Sequence, residues 1–223
     1  MLRGAGHPGA AELIELHYFP DNASQFPHML LREIGCPFKL RLVDRKQGAQ
    51  KSAAYRKLNP NGKIPVLVDD GEAIFETAAI GLHLADKFPN AGLAPPPGAP
   101  ERAAYYKWMV HLACVPQAEY RAWFYPHEFV DDASLASHAK AAASERLMAG
   151  FERIAEQLGD GPWLLGERFC AADLYLLMMV RWGISLPTPP RTLPALAAHA
   201  QRVLARQAVQ ATFAAEGVVA PFI

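Results

Sequence analysis

Residues 59–80 read NPNGKIPVLVDDGEAIFETAAI, and the fold turns on how this stretch is parsed. Ile64 to Val68 is a strand-forming run, Asp69-Asp70-Gly71 is turn chemistry, and Glu72 to Phe75 is a second short run. Two such runs joined by Asp-Gly predict a hairpin, because glycine accepts the positive φ that tight hairpin turns require. Pro65, just inside the first run, has two explanations. It is either an ordinary edge-strand proline, or its bond to Ile64 is cis. The cis form would leave the N–H and C=O of Ile64 on an open edge, where an extended peptide adds as a short antiparallel strand. The second run stops at Glu76-Thr77, followed by a helix over Ala78 to Phe88. Free amides and the dipole at that start favour a carboxylate, while Glu76 suits an ammonium. Taken alone, the segment reads first as a plain helix cap made by Thr77.

Upstream, Glu12 to Tyr18 alternates as a short strand does. The polar loop Pro20 to Ala23 leads to Ser24, after which Met29, Leu30, Leu31 and Ile34 have helical spacing and Gly35 closes the helix. Pro27 falls in the first turn, where a missing N–H costs little, which makes Ser24 the expected N-cap. A hydroxyl at a helix N-terminus also suits stabilisation of a thiolate. Phe38 to Val43 is a second strand and Ser52 to Leu58 a short helix. The order βαβαββα describes a compact α/β unit with a parallel portion and a terminal hairpin.

Downstream, NAGLAPPPGAP (residues 90–100) is proline-rich and aperiodic, a stiff linker between a unit at 12–89 and an all-helical unit at 101–223. In the latter, Leu147, Phe151, Ile154 and Leu158 mark one amphipathic helix, and Leu174 to Val180, apolar all round, marks a central one. The entry of that second helix has Asp173 three residues after Cys170, the pattern of a capping box with cysteine as cap.

Composition narrows the function. The 223 residues are 51% hydrophobic and 20% charged, enough to bury a core. Twenty-two Lys and Arg against twenty-two Asp and Glu leave no cationic surplus for nucleic acid. No apolar run reaches the roughly 18 residues of a membrane span, and Met1 to Ala11 has no leader-like hydrophobic stretch. Cys36, Cys114 and Cys170 form no CxxC and are expected to be reduced and mostly buried, as in a cytoplasmic protein. Eight dispersed histidines without HExxH or paired-cysteine spacing predict no metal site.

Together, NPNGKIPVL, the strand-ending FETAAI and ERFCAADLYL in the helical half resemble the cytosolic glutathione S-transferase family, bacterial type, over essentially the whole chain from Glu12. The resemblance implies a thioredoxin-like domain followed by an all-α domain, usually as a homodimer. It also implies glutathione as co-substrate and a hydrophobic small-molecule electrophile as its target. By that likeness Ile64, beside cis Pro65, holds the cysteinyl backbone of glutathione, and Glu76 and Thr77 hold its γ-glutamyl end. Lys51 and Lys63 are candidates for the glycyl carboxylate. Where beta-type relatives carry a cysteine this chain has Ala23, which argues against a mixed disulfide at that position. Ser24, Asn22 and Tyr18 remain as candidates to activate the thiol, with Ser24 first. Gln117 stands where such relatives have a histidine, and His111 lies nearby. Aromatic residues between Tyr105 and Tyr125, with Phe19, are candidates to line the electrophile pocket, although such a stripe is more often plain core. A non-catalytic binding protein, or a glutathione-dependent isomerase, reductase or dehalogenase, is the alternative.

Overall fold

The computed structural model describes residues 13–223. The first strand was expected from Glu12, which lies outside the described residues; β1 spans Ile14–Tyr18. It is followed by α1 (Gln25–Ile34), β2 (Phe38–Leu42), α2 (Ala53–Arg56), β3 (Val66–Asp69), β4 (Glu72–Phe75) and α3 (Thr77–Lys87), the predicted βαβαββα order. The sheet order is β2-β1-β3-β4. β1 and β2 run parallel, with α1 as their crossover, while β3 is antiparallel to both β1 and β4. The hairpin turns through Asp70 and Gly71 at φ 50° and 81°, the left-handed pair that the Asp-Gly signal predicts. β3 starts at Val66 rather than Ile64, because Pro65 has no N–H to give the ladder.

Side-chain alternation splits the sheet between two clusters. Ile14, Leu16 and Leu67 face the large core with Phe26, Leu30, Ile80 and Leu84. Val66, on the other face, packs with Val43, Tyr55 and Ile64. The large core does not stop at the sheet domain. It runs on into α4 (Arg102–Cys114), α5 (Pro116–Phe124), α6 (Ala136–Leu158), α7 (Ala171–Trp182), α8 (Pro194–Leu204) and α9 (Gln207–Glu216). Phe26 of α1 stacks on Tyr175 of α7 at 4.6 Å, a contact that joins the two halves.

The expected stripe Leu147, Phe151, Ile154 and Leu158 is buried on α6, and α7 is buried from Ala171 to Arg181, as a helix apolar all round must be. Its capping box is complete: Cys170 N–H donates to Asp173 Oδ2 at 2.8 Å, and the Cys170 side chain receives the Asp173 amide. The proline-rich stretch is packed rather than free. Leu93 and Ala94 are buried, Leu93 C=O accepts from Ala171 N–H at 2.8 Å, and Arg102 donates to Pro95 C=O at 2.6 Å. Of the three free cysteines only Cys170 is buried; Cys36 is half-buried and Cys114 exposed, against the expectation that most are buried.

Candidate active site

The strand register brings three loops to one end of the sheet. His17 pairs with Val66, and Val66 with Phe75. The residues just beyond β1, just before β3 and just after β4 are therefore neighbours. They are the loop from Phe19 to Ser24, Lys63-Ile64-Pro65, and Glu76-Thr77.

In the first loop, Ser24 is fully buried. Its Oγ accepts from Phe19 N–H at 3.2 Å and donates its one hydrogen to Phe19 C=O at 3.0 Å. The expected cap bond to the first turn is absent, because Ser24 is itself helical (φ −69°, ψ −13°) and a capping side chain needs an extended residue. Asn22 is half-buried, and its side-chain amide has no partner among the described residues. The same holds for the backbone N–H groups of Asn22, Ala23 and Ser24. Tyr18 is half-buried at the end of β1, its ring edge-on to His28 at 6.2 Å.

The loop is held from the far end of the chain. Asp21, at φ 53°, donates its N–H to Glu216 Oε2 at 2.9 Å. The same buried carboxylate accepts from Gln25 Nε2 at 3.3 Å and His28 Nδ1 at 2.8 Å. Arg32 Nε donates to His28 Nε2 at 3.0 Å, which makes Nε2 the acceptor and puts the ring hydrogen on Nδ1, facing Glu216. Arg181 grips the Asp21 carboxylate with two bonds of 3.0 Å and donates to Phe222 C=O at 2.9 Å.

In the second loop the Ile64-Pro65 bond is cis. The Lys63 carbonyl is tied by Tyr55 Oη at 3.0 Å and Asn59 Nδ2 at 2.8 Å. The N–H and C=O of Ile64 are left without a partner among the described residues. Gly62, at φ 61°, is left-handed and tightly confined, since an added Cβ would lie 3.0 Å from the Gln50 carbonyl. Lys63 and Lys51 are exposed on this rim. Gln50 was not singled out from the sequence; its Oε1 is buried and unpartnered here, and no local pattern marks it.

In the third loop Glu76 is exposed and held at φ 72°, a strained conformation for a residue with a side chain. Thr77 is buried as the first residue of α3, and its Oγ1 accepts from Gln117 Nε2 of α5 at 3.3 Å. Gln117 thus meets the γ-glutamyl candidates rather than the first loop. His111 packs edge-on against Trp108, and burial, followed by the positive charges of Arg153 and Lys107, holds its imidazole below the usual range.

The aromatic stripe divides. Tyr105, Met109, Tyr120 and Trp123 belong to the core, with Tyr120 Oη donating to Met179 C=O at 2.7 Å. Phe19 packs in the cluster on the opposite face of the sheet. Phe124 is exposed, and Tyr125 receives a 2.7 Å bond from Arg45, a clasp between the two halves. An open cleft of about 950 Å³ lies at the other end of α1, lined by Arg32, Cys36, Phe38, Trp163 and Arg206, and contains none of the predicted site residues. Among the described residues no group of three or more His, Cys, Asp or Glu is placed to hold a metal ion. No helix among them is long and apolar enough to cross a membrane.

Residues 23–87 match the family model of the glutathione S-transferase N-terminal domain, and residues 137–206 that of the C-terminal domain. The chain is 31% identical to glutathione S-transferase GST-4.5 of Xanthomonas campestris pv. campestris over 92% of its length and 100% of the relative's. It is 30% identical to glutathione S-transferase GstA of Escherichia coli O157:H7, with the same two coverages. Among solved structures, a sphingomonad glutathione S-transferase complexed with glutathione superposes with a TM-score of 0.80 at 31% identity, covering 92% of this chain and 100% of that one.

Proposed function

The chain belongs to the glutathione S-transferase family and is a glutathione transferase, and from that premise we propose that it binds glutathione along the rim of Ile64, Glu76 and Thr77 and adds the thiolate to a hydrophobic electrophile. The observation that carries this reading is the unpartnered backbone of Ile64 at the same sheet end as the start of α3. A tripeptide's cysteinyl backbone pairs with Ile64 as an added strand. Its γ-glutamyl ammonium meets Glu76, and the adjoining carboxylate meets Thr77 and the α3 amides. Lys51 and Lys63 lie on the glycyl side.

This placement directs the thiol to the first loop. There the free N–H groups of residues 22–24 and the Asn22 amide are donors that favour a thiolate over a thiol. Ser24 is assigned to holding the loop, since its hydrogen is committed to Phe19. Tyr18 is the remaining hydroxyl candidate. The thiol loses its proton to solvent, the sulfur forms a bond to the electrophilic carbon, and the leaving group departs or the adduct is protonated. The rate gain comes from holding an ionised sulfur beside a bound electrophile.

Calorimetry should register glutathione binding, and thiolate absorbance should titrate below the free-thiol range. Asn22→Ala is expected to raise the bound-thiol pKa, with glutathione affinity changed less. An unchanged pKa in Asn22→Ala together with a raised one in Ser24→Ala would return the role to Ser24. We place the enzyme in the cytoplasm as a homodimer. Tyr106 and Val110, exposed one turn apart on α4, support an apolar face of this kind, and size-exclusion mass measurement tests it.

A further inference from the structure

We propose that Gln117 is a positioning residue that occupies one lone pair of the Thr77 hydroxyl and turns its hydrogen toward the ligand, so that this subsite favours a carboxylate over its amide or ester. The inference rests on the reading that the γ-glutamyl end of glutathione docks at Glu76 and Thr77.

Tyr175 is fully buried on α7 and hydrogen-bonded through its hydroxyl to Gln117 Oε1. A phenol is acceptor or donor, but a carboxamide oxygen only accepts, so Tyr175 donates. Burial raises the phenol's titration far above its ordinary value, which keeps that hydrogen in place. With its oxygen taken, the Gln117 amide presents its NH2 to the other side, where Nε2 lies 3.3 Å from Thr77 Oγ1. An amide N–H can only donate, so Thr77 Oγ1 accepts and keeps one hydrogen of its own.

Nothing within the described residues takes that hydrogen. Thr212 spends its hydrogen on the Ala208 carbonyl one helical turn back, at 2.8 Å, and Thr192 on the Pro189 carbonyl at 2.8 Å. Thr77 opens α3, so no helical carbonyl stands one turn behind it. A buried hydroxyl that already accepts one bond and still has a free hydrogen is a donor awaiting an acceptor. The first amides of α3, which also lack partners among the described residues, are donors too. A set of donors only is complementary to a carboxylate, whereas an amide brings an NH2 that meets hydrogens. Gln117 touches no ligand in this scheme. It sets polarity from the helical half, so the subsite is complete only when α5 and α7 are packed on α3.

The test is calorimetric titration with two ligands: glutathione, and glutathione whose γ-glutamyl α-carboxylate is converted to the carboxamide. In Gln117→Glu the new carboxylate accepts from both Tyr175 and Thr77, which reverses the Thr77 hydroxyl. Its affinity for glutathione is expected to fall at least tenfold, while affinity for the carboxamide changes less than threefold. Gln117→Met removes the donor without adding charge and is expected to lower the glutathione-to-carboxamide ratio by about threefold. It also carries the test if the glutamate variant does not fold. A purely structural role would weaken both ligands alike. Equal losses for both ligands, or an unchanged ratio in both variants, would overturn the proposal with the binding reading intact. Absence of glutathione binding by the wild-type protein would overturn that reading and the proposal with it.

Discussion

Replacing Glu216 with alanine should be among the most damaging single changes in this molecule, although it lies 192 to 195 positions beyond Ser24 and Asp21 in the chain. The carboxylate is fully buried and receives three donors: Asp21 N–H, Gln25 Nε2 and His28 Nδ1. Alanine strands two donors, on Gln25 and His28, that are themselves fully buried. Each stranded buried donor costs about 1–3 kcal/mol, so the expected loss is about 4 kcal/mol. Asp21 is exposed, and water replaces the bond to its amide at little cost. Glu216→Gln is an intermediate case, near 2 kcal/mol by the same principle, because one carbonyl oxygen cannot serve three donors and the new NH2 must face another hydrogen. Urea unfolding with linear extrapolation measures both. A cycle with His28→Ala should show coupling of roughly 1–3 kcal/mol, since the two side chains are in direct contact. The loosened Asp21 anchor should also weaken glutathione binding. A loss below about 1 kcal/mol for Glu216→Ala, or strictly additive single mutants, would refute the claim that the donors on Glu216 act cooperatively.

Gly81→Val should destabilise by about 2 kcal/mol or more, because even a Cβ at residue 81 would lie 2.6 Å from the Phe26 ring and 2.7 Å from Met109, and Phe26 is pinned against Tyr175. Scanning calorimetry should show a melting temperature several degrees lower. Asp173→Ala removes the acceptor for Leu164 N–H (2.9 Å), Cys170 N–H (2.8 Å) and His199 Nε2 (2.8 Å), all in the buried interior, and should cost about 3 kcal/mol or more by denaturant unfolding. Burial pushes the Asp69 carboxyl up, but its bonds to Lys87 and His83 outweigh that and hold it below the usual carboxylate range. A value lower folded than unfolded gives stability that is present above about pH 4 and is lost as pH falls through the folded value. Asp69→Asn should therefore flatten the acid limb of a stability-against-pH curve, and an unchanged limb would exclude Asp69 as its source.

Much of the fold was legible in local chemistry. The hairpin follows from Asp70-Gly71, the end of α1 from Gly35, and the central place of α7 from a run with no polar face. Each depends on preferences that operate within a few residues. The convergence of Ile64, Pro65, Glu76 and Thr77 was legible for the same reason, because a hairpin pairs residues that are close in the chain. The partner of the Ser24 hydroxyl was not. Its spacing suits the first turn of α1 or a bound thiolate, and in the structure it bonds the Phe19 peptide. The Phe19–Ser24 loop geometry decides it, and that loop is anchored by Glu216 and Arg181, whose positions depend on how the helical half closes on the sheet. Gln117 is a second case: on its own helix it is one polar residue among others, and only the packing of α5 and α7 against α3 places it between Tyr175 and Thr77. Propensity, capping and turn preference are short-range, so the chain determined its elements and their order by itself. Which buried donor meets which acceptor across nearly two hundred residues is a property of the closed structure alone.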